Sequence, residues 1–388
     1  MQNIFCNMGD CMNLNCHHCY PVKNCYFKHE YCIKHGACDQ HIIKNINLNL
    51  MSSYYRTNNQ NTNVRIMITG CVGFIGTHLT KKLLSSGYII RGIDNMIDDY
   101  ITKQNNLFDL QKYEHFSFIQ GDITNTNEIS SWKPHKIIHL ASLAGVRNSI
   151  KNPLLYERVN VGGFIHLMEE SVKNNVNLVV FASSSSVYGL NNKVPFCESD
   201  QVNSCNSQYA CSKLAMEMYA KTYYQLYNLS SIGLRFFTVY GPGGRKDMAP
   251  YKFLNAITNG TPFEKFGDGM SSRDYTYIDD IVDGIIAALE NKKNIKCEIY
   301  NLGNSLPVTL NEFISTCEKI TGKKAIYNQR DMQLGDVPHT FADISKAGRD
   351  LDYKPKVNLH DGLTKFYENI LAENKSYLKE CPTIITNS

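Results

Sequence analysis

Apolar and polar positions change their spacing repeatedly after residue 63, and these changes predict alternating strands and helices. Val64 to Thr69 is a β-rich run that ends in a glycine turn, and Thr77 to Ser86 then carries leucines at helical spacing. Tyr88 to Ile93 is the next predicted strand. The same reasoning predicts strands at Phe116–Ile119, Lys136–Leu140, Leu178–Ala182 and Ser231–Phe236, and helices at Pro153–Asn174 and Gln208–Tyr227. Such alternation is typical of a doubly wound α/β fold, with a parallel sheet covered on both faces.

The two ends of the chain differ from this alternating region. Residues 1–63 contain a cysteine cluster and then an Asn-rich stretch, so they are predicted to be an extension and linker. Residues 64–236 are predicted to form the nucleotide-binding domain. After Phe236 the pattern is less regular, so residues 237–375 are expected to form mainly a smaller C-terminal substrate lobe, and residues 376–388 a tail.

Composition excludes several classes of function. The 388 residues carry 40 Lys+Arg against 36 Asp+Glu, and a formal charge of +4 gives no electrostatic case for nucleic acid or a membrane surface. No apolar run is long enough to span a bilayer, and the N-terminus lacks the pattern of a secretory signal. The thiols scattered beyond the N-terminal region indicate a reducing compartment, so we expect a cytoplasmic protein.

Seven of the 14 cysteines lie in the first 38 residues. Cys16-His17-His18-Cys19 and its neighbours have the donor types that zinc prefers, but their spacing matches no familiar zinc-finger pattern. Two interpretations stay open, a small zinc module and an extension outside the functional enzyme. No metal is expected in the catalytic part of the chain.

A glycine turn follows the first predicted strand. Gly70, Gly73 and Gly76 open the first helix, where glycines permit a tight turn and a close approach to a pyrophosphate. Asp94 ends the second strand, 18 residues after Gly76. A carboxylate there can bind the adenosine ribose and would repel a 2′-phosphate, which predicts NAD rather than NADP as the cofactor.

A second set of residues suits proton transfer. Tyr209 and Lys213 are four apart, so a helix places them on one face. A phenol with a pKa of about 10 needs a nearby cation to act as a base at neutral pH. Ser184 lies at the end of an apolar strand, where ligand groups gather in open α/β sheets.

Taken in order, these motifs resemble the extended short-chain dehydrogenase/reductase superfamily, and within it the UDP-glucuronate 4-epimerases. The resemblance covers about Val64 to Asn369 and rests on motifs at residues 69–76, 92–95, 121–123, 139–147, 160–163, 182–189, 209–213, 235–242, 273–280 and 335–338. It implies a Rossmann-type doubly wound parallel sheet with a smaller C-terminal substrate-binding lobe. It also implies a homodimer packed through the Tyr209–Tyr227 and Pro153–Asn174 helices.

The resemblance also implies a mechanism. Tyr209 would take the proton from the sugar 4-hydroxyl, Lys213 would lower the tyrosine pKa and hold the nicotinamide ribose, and Ser184 would relay the proton. NAD would accept hydride from C4, and the transient 4-keto sugar would turn over and take it back on its other face. The implied cofactor-binding residues are Gly70, Gly73, Phe74, Ile75, Gly76, Asp94, Asn95, Asp122, Ile123, Leu140, Ala141, Ala144, Asn160, Tyr209 and Lys213.

The substrate residues favour a uronate. Ser185 and Ser186 occupy positions where related dehydratases have an acid–base Asp-Glu pair, and they can donate hydrogen bonds to a carboxylate. By resemblance, Thr238 and Arg245 also suit that carboxylate. Further implied contacts are Lys265 and Phe266 near the uracil, Arg273 at the UDP pyrophosphate and Asp336 at the uridine ribose.

Three alternatives remain beside interconversion of UDP-glucuronate and UDP-galacturonate. Neutral UDP-hexoses could be epimerised instead, or UDP-glucuronate could be decarboxylated, because a 4-keto uronate is a β-keto acid. A non-catalytic NAD-binding scaffold is disfavoured by the intact Ser184, Tyr209 and Lys213. For Arg273, an ion pair with Asp274 or Asp279 is the alternative to substrate binding.

Overall fold

The computed structural model describes residues 63–97, 99–331 and 337–380. The cysteine-rich segment, and with it the zinc hypothesis, lies outside the described residues. The strands are β1 Arg65–Thr69, β2 Ile89–Asp94, β3 Phe116–Gln120, β4 Lys136–His139, β5 Leu178–Ser184, β6 Ser231–Phe236, β7 Thr238–Tyr240, β8 Phe263–Phe266, β9 Ser272–Tyr277, β10 Cys297–Leu302, β11 Pro307–Thr309 and β12 Tyr327–Arg330.

Helices connect and cover these strands. They are α1 Phe74–Ser85, α2 Tyr100–Leu110, α3 Glu128–Trp132, α4 Val146–Lys151, α5 Pro153–Tyr156, α6 Gly163–Lys173, α7 Gln208–Tyr227, α8 Ala249–Asn259, α9 Ile278–Glu290, α10 Leu310–Thr321, α11 Ser345–Leu351 and α12 Leu359–Glu380. A π-helical turn, Glu157–Gly162, joins α5 to α6, and a 3₁₀ turn, Ser185–Tyr188, follows β5. No helix in the described ranges is long and apolar enough to cross a membrane.

The main sheet has seven parallel strands in the order β3-β2-β1-β4-β5-β6-β10. This confirms the predicted Rossmann-type fold. The winding reverses between β1 and β4, and open α/β sheets bind ligands at the carboxyl ends of the strands beside such a point. The glycine turn, Asp94 and Ser184 all follow or end strands at this edge.

Both faces of the sheet are covered, which explains why its strands are largely apolar. Ile66 and Ile68 of β1 belong to one core cluster, with residues of α1 and α9, whereas Met67 belongs to the other, with residues of α6 and α7. Alternate residues of a strand point to opposite faces, so this short run supplies both cores. All seven residues of β5 are buried.

Most predicted elements agree with the observed ones, with small shifts at their ends, whereas the predicted Pro153–Asn174 helix is divided into α5, a π-helical turn and α6. The Ser231–Phe236 strand and the Gln208–Tyr227 helix have the predicted bounds, whereas α1 begins at Phe74 because the glycine turn leads directly into it. Sequence reasoning missed β10, which pairs with β6 although it follows the less regular region. The C-terminal residues also form two small sheets, β11-β9-β7 and β12-β8.

Candidate active site

The glycine turn at the end of β1 is packed too closely for side chains. Gly70 has φ +72°, and a Cβ on it would lie 2.8 Å from the backbone nitrogen of Ala141. A Cβ on Gly76 would lie 2.0 Å from the Gly70 carbonyl oxygen. Backbone alone therefore lines the turn, and the first amides of α1, including those of Phe74 and Ile75, lie where a helix N-terminus binds an anion. These residues fit a dinucleotide pyrophosphate.

Acidic side chains surround the expected adenosine position. Asp94 is only 5% exposed, and its Oδ1 accepts hydrogen bonds from the Met96 amide at 2.9 Å and from Lys103 Nζ at 3.0 Å. Asp122 accepts hydrogen bonds from the amide and hydroxyl of Thr124, and Asn95 also bonds to it. Although burial opposes ionisation, these bonds hold the pKa of Asp122 below its ordinary value.

Sequence reasoning missed Lys103. It lies nine residues after Asp94 on α2, and a lysine at that distance has no signature of its own. Ile123, the neighbour of Asp122, is buried and packs closely against Gly163. A Cβ on Gly163 would collide with its side chain.

The loop that follows β4 is held by a buried amide. Asn160, in the π-helical turn, accepts a hydrogen bond from the Leu143 amide at 2.7 Å and donates to the Leu143 carbonyl at 3.0 Å. Its Nδ2 also donates to Ser212 Oγ on α7 at 3.0 Å. Asn160 therefore ties α7 to the loop that contains Leu140, Ala141 and Ala144. A π-helical turn is frequently found at a functional site.

His139 at the end of β4 is buried and neutral. Its Nδ1 lies 2.8 Å from Thr69 Oγ1, which also accepts a hydrogen bond from the Ala141 amide, and within the described residues its Nε2 has no partner. Burial lowers the pKa of His139 to about 3, and the charge of Lys213 acts in the same direction. The site thus contains a histidine that stays uncharged at physiological pH.

We expect His139 to make the fold sensitive to acid. An imidazole in the unfolded chain titrates near pH 6.5, so between about pH 6.5 and pH 3 the unfolded state binds more protons, and stability falls as the pH falls. From about pH 7.5 to about pH 5, wild type should lose roughly 2 kcal/mol more unfolding free energy than His139→Asn. Urea titrations at both pH values measure the difference. The exposed His360→Asn change is the control, and equal losses in wild type and His139→Asn would contradict the assignment.

The predicted catalytic residues come together at the ends of β5 and α7. The Tyr209 side chain is hydrogen-bonded to Ser184, whose Oγ also lies 3.1 Å from Ser186 Oγ. Lys213 is 1% exposed, its Nζ donates to the Ala182 carbonyl at 2.8 Å, and it lies 5.9 Å from the centre of the Tyr209 ring. Burial lowers the pKa of Lys213 to about 7.

The charge of the Arg245 guanidinium favours ionisation of the Tyr209 phenol. Burial raises the pKa of the Tyr209 phenol, while the hydrogen bond to Ser184 and the charge of Arg245 oppose the rise. The sequence predicts the same effect for Lys213, whose Nζ donates to the Ala182 carbonyl and lies 5.9 Å from the centre of the Tyr209 ring. Arg245 is held by two bonds to the Asp247 carboxylate, of 3.0 and 2.6 Å. The sequence had not drawn attention to Asp247, two residues further along.

The model of the NAD dependent epimerase/dehydratase family matches residues 66–303. The chain belongs to this family. UDP-glucuronate 4-epimerase 2 of Arabidopsis thaliana is 40% identical over 340 residues, covering 81% of this chain and 77% of that protein. Protein CapI of Staphylococcus aureus is also 40% identical, covering 79% and 98%. A crystal structure of UDP-glucuronic acid 4-epimerase from Bacillus cereus with UDP-glucuronic acid and NAD is 36% identical, has a TM-score of 0.76 and covers 80% and 100%.

Membership of the epimerase/dehydratase family confirms several expectations from the sequence. NAD is the cofactor, and the protein is an enzyme of the isomerase class. The resemblance to UDP-glucuronate 4-epimerases is confirmed as well. The roles of individual residues stay predictions, for which the structure supplies the geometry.

The predicted substrate residues form two groups. The first group comprises Ser185 and Ser186 in the 3₁₀ turn after β5, Thr238 at the start of β7, and Arg245 beyond β7. Of these, Arg245 lies close enough to act on Tyr209. The other group lies on β8 and β9. Lys265 is buried with its Nζ over the Tyr327 ring, and the Phe266 ring contacts the guanidinium of Arg147.

Arg273 is not ion-paired with either candidate carboxylate. Its guanidinium donates to the carbonyls of Ser272 at 2.9 Å and Pro338 at 3.2 Å. Asp274 instead accepts hydrogen bonds from the amides of Asn304, Ser305 and Ala342. The ion-pair alternative for Arg273 is therefore wrong for the described residues, and its charge is available for an anionic ligand. Asp336 lies outside the described residues.

A buried ion pair that the sequence had not indicated fixes the catalytic helix. Glu217, two turns after Tyr209 on α7, accepts bonds from Arg235 Nε at 2.9 Å and from Arg235 Nη2 at 2.7 Å. The hydroxyl of Ser183, which precedes Ser184, donates to the same carboxylate. Glu217 and Arg235 are 7% and 3% exposed. The pair therefore links β6 to α7, the helix that contains Tyr209 and Lys213. Through Ser183 it also links α7 to β5, the strand that ends at Ser184.

Proposed function

We propose that the protein interconverts UDP-glucuronate and UDP-galacturonate by epimerisation at C4. The observation that carries this proposal is the guanidinium of Arg245, which lies close enough to influence the pKa of Tyr209. An arginine beside the proton-transferring phenol suits a sugar with a carboxylate next to the reacting carbon. The similarity to UDP-glucuronate 4-epimerases of 36–40% identity supports the same substrate.

Tyr209 is the proposed base for the 4-hydroxyl. Its phenol is paired with Ser184, which can pass a proton between the sugar oxygen and the tyrosine. Arg245 favours the ionised phenol, and Lys213, with its Nζ 5.9 Å from the centre of the Tyr209 ring, would add to this when its ammonium is charged. After oxidation at C4 the same residues return the proton, so one site serves both directions.

The cofactor would be held along the carboxyl edge of the sheet. The turn from Gly70 to Gly76 would bind the pyrophosphate, Asp94 the adenosine ribose, and Lys213 the nicotinamide ribose. When bound, NAD supplies a reversible hydride acceptor for the sugar C4. Asn160 fixes the loop after β4 by its hydrogen bonds to Leu143. His139 is hydrogen-bonded to Thr69 at the end of the neighbouring strand β1.

Hydroxyl and guanidinium groups would hold the uronate carboxylate. Ser185, Ser186 and Thr238 supply short donors, and Arg245 supplies a planar fork. The Asp247 carboxylate already fixes that fork, so the arginine is oriented before substrate binds. Held in this way, the carboxylate of a 4-keto uronate is stabilised as an anion, which disfavours loss of CO₂.

Proton NMR of the full chain with UDP-glucuronate and without added reductant tests the substrate. We expect UDP-galacturonate to appear without net formation of NADH. A UDP-pentose with CO₂ would instead assign the protein to the decarboxylases. Interconversion of UDP-glucose and UDP-galactose without reaction of the uronate would overturn the proposed carboxylate site.

We also propose that two copies pack through α7 and the segment from α5 to α6. Apolar side chains on these elements are exposed, with Leu154 82%, Leu226 66% and Met218 61% exposed. Exposed apolar patches of this kind mark contact surfaces. Sedimentation equilibrium of the full chain should therefore give twice the 44.1 kDa mass of one copy, and the monomer mass would contradict it. A cytoplasmic location stays a prediction.

A further inference from the structure

Two cysteine side chains meet at the start of the helix that contains Tyr209. Cys205 precedes α7 and Cys211 lies in its first turn, and the two thiols are hydrogen-bonded to each other. Cys211 is exposed and Cys205 is half-buried. Neither residue belongs to the proposed mechanism. Because a disulfide requires two backbones that lie close together, a pair of thiols already in contact is suited to form one.

The backbone around Cys211 is fixed by the cap of α7. The Ser207 hydroxyl accepts a hydrogen bond from the Ala210 amide at 3.2 Å, and the Ser207 carbonyl accepts one from the Cys211 amide at 3.0 Å. Ser207 is buried. Tyr209 lies within this turn, so a pull on the Cys211 side chain acts on the part of the helix that holds the proposed base.

The backbone beside Cys205 is packed against the segment that follows β5. The Ser204 carbonyl accepts a hydrogen bond from the Leu190 amide at 3.2 Å, and a Cβ on Gly189 would lie 1.9 Å from the same oxygen. Gly189 directly follows the 3₁₀ turn Ser185–Tyr188, which contains two of the residues proposed to bind the substrate carboxylate. A displacement of Cys205 therefore acts on the proposed substrate site.

The surroundings of the pair favour oxidation over metal binding. In the part of the chain that the structure describes, no group of three or more potential metal ligands occurs, and two thiolates alone do not complete a structural zinc site. Burial raises the pKa of Cys205, and the charges of Cys211 and Glu217 act in the same direction. Cys205 therefore stays protonated, and the exposed Cys211 meets an oxidant first. Once Cys211 is oxidised it carries no negative charge, so it no longer opposes ionisation of Cys205.

We propose that Cys205 and Cys211 form a reversible disulfide that slows the enzyme. With a small disulfide such as oxidised glutathione, the Cys211 thiolate attacks one sulfur, and the first glutathione leaves as a thiol. The Cys205 thiol then gives up its proton and attacks the Cys211 sulfur, which releases the second glutathione. In total the two cysteines lose two electrons and two protons, and the small disulfide takes them up to become two thiols.

The bond would bring the two sulfurs to about 2.05 Å from each other. Because the backbone is fixed on both sides, the first turn of α7 or the segment at Gly189 has to move. A displacement of about 1 Å in an active site can lower the rate about a hundredfold, so we expect turnover to fall by about tenfold or more. The bond itself is independent of the proposed function, whereas its effect on turnover rests on that function.

The test treats the full chain with oxidised glutathione and then blocks the remaining thiols with N-ethylmaleimide. Cleavage after glutamate yields the peptide 199–217, which contains Cys205 and Cys211 and no other cysteine. In the oxidised protein this peptide should carry no label and be two hydrogens lighter than its reduced form. Turnover of the UDP-sugar, measured by NMR, should fall as this peptide appears and should recover after treatment with dithiothreitol.

Cys211→Ser should form no such bond and should keep its turnover under the same treatment, and Cys205→Ser replaces it should that variant not fold. Cys197→Ser is the matched control, because it removes a neighbouring half-buried thiol outside the pair and should stay as sensitive as wild type. An equal loss of turnover in Cys211→Ser would overturn the inference, and so would a disulfide that joins two copies.

Two further outcomes separate the parts of the inference. Unchanged turnover in protein whose 199–217 peptide is fully oxidised would overturn the proposed effect on the enzyme. Reduced wild type that converts no UDP-sugar would contradict the proposed function instead, and the mass of the peptide would still decide whether the bond forms.

Discussion

Tyr209→Phe should lower turnover of the UDP-sugar by about a thousandfold, because positioned acid–base groups contribute about 10² to 10⁴ in rate. The ring still packs against Tyr156, so the fold is retained and only the phenol oxygen is lost. Bound NAD should stay at the wild-type level, since the other residues proposed to hold it are unchanged. Turnover is measured by NMR, and cofactor content by chromatography after denaturation.

Tyr224→Phe is the matched control for this change. Tyr224 lies on the same helix but lines a surface pocket with Lys293, Lys296 and Asp350, away from the carboxyl edge of the sheet. Its replacement should leave turnover unchanged. Near-normal turnover in Tyr209→Phe would refute the proposed mechanism, and loss of NAD from that variant would show that the tyrosine acts mainly in cofactor binding.

Breaking the buried pair of Glu217 and Arg235 should have the largest effect on stability. Arg235→Met leaves the Glu217 carboxylate buried with only Ser183 as a donor, and Glu217→Met leaves the guanidinium uncompensated. Removing one partner of such a pair costs about 3–5 kcal/mol. The double variant Glu217→Met/Arg235→Met should recover much of this loss, because no buried charge remains. Urea unfolding of the four proteins gives the coupling energy.

An exposed arginine provides the comparison. Arg330 pairs with Glu264 at the surface, and Arg330→Met should leave the free energy of unfolding nearly unchanged. Losses that simply add in the Glu217→Met/Arg235→Met double variant would refute the buried-pair interpretation.

The residues that the sequence predicted are those whose role follows from local spacing. The glycine pattern is recognisable because it falls between a predicted strand and a predicted helix, the context that a nucleotide-binding turn requires. It comprises Gly70, Gly73 and Gly76. Tyr209 and Lys213 are recognisable because four residues make one helical turn. The fold followed from the same local periods, since each strand and helix has its own repeat.

The missed residues act through partners that no local pattern reveals. Arg235 meets Glu217 only after β6 and α7 pack together, and Lys103 meets Asp94 only because α2 folds back over β2. The Arg245–Asp247 pair is close in sequence, but nothing in that spacing distinguishes it from a surface pair. Strand β10 was missed because a short half-polar run, Cys297–Leu302, lacks the apolar character of the other strands.

The late position of β10 has a consequence for the order in which the chain can fold as it leaves the ribosome. All six residues of β6 are buried in the finished sheet, where β10 pairs with them. Until Cys297–Leu302 has been synthesised, β6 is an apolar edge strand with unpaired backbone groups, and such edges promote aggregation. The C-terminal region must therefore emerge as far as Leu302 before the nucleotide-binding sheet is complete. The sheet that is predicted to bind the nucleotide thus depends during synthesis on a strand from the predicted substrate lobe.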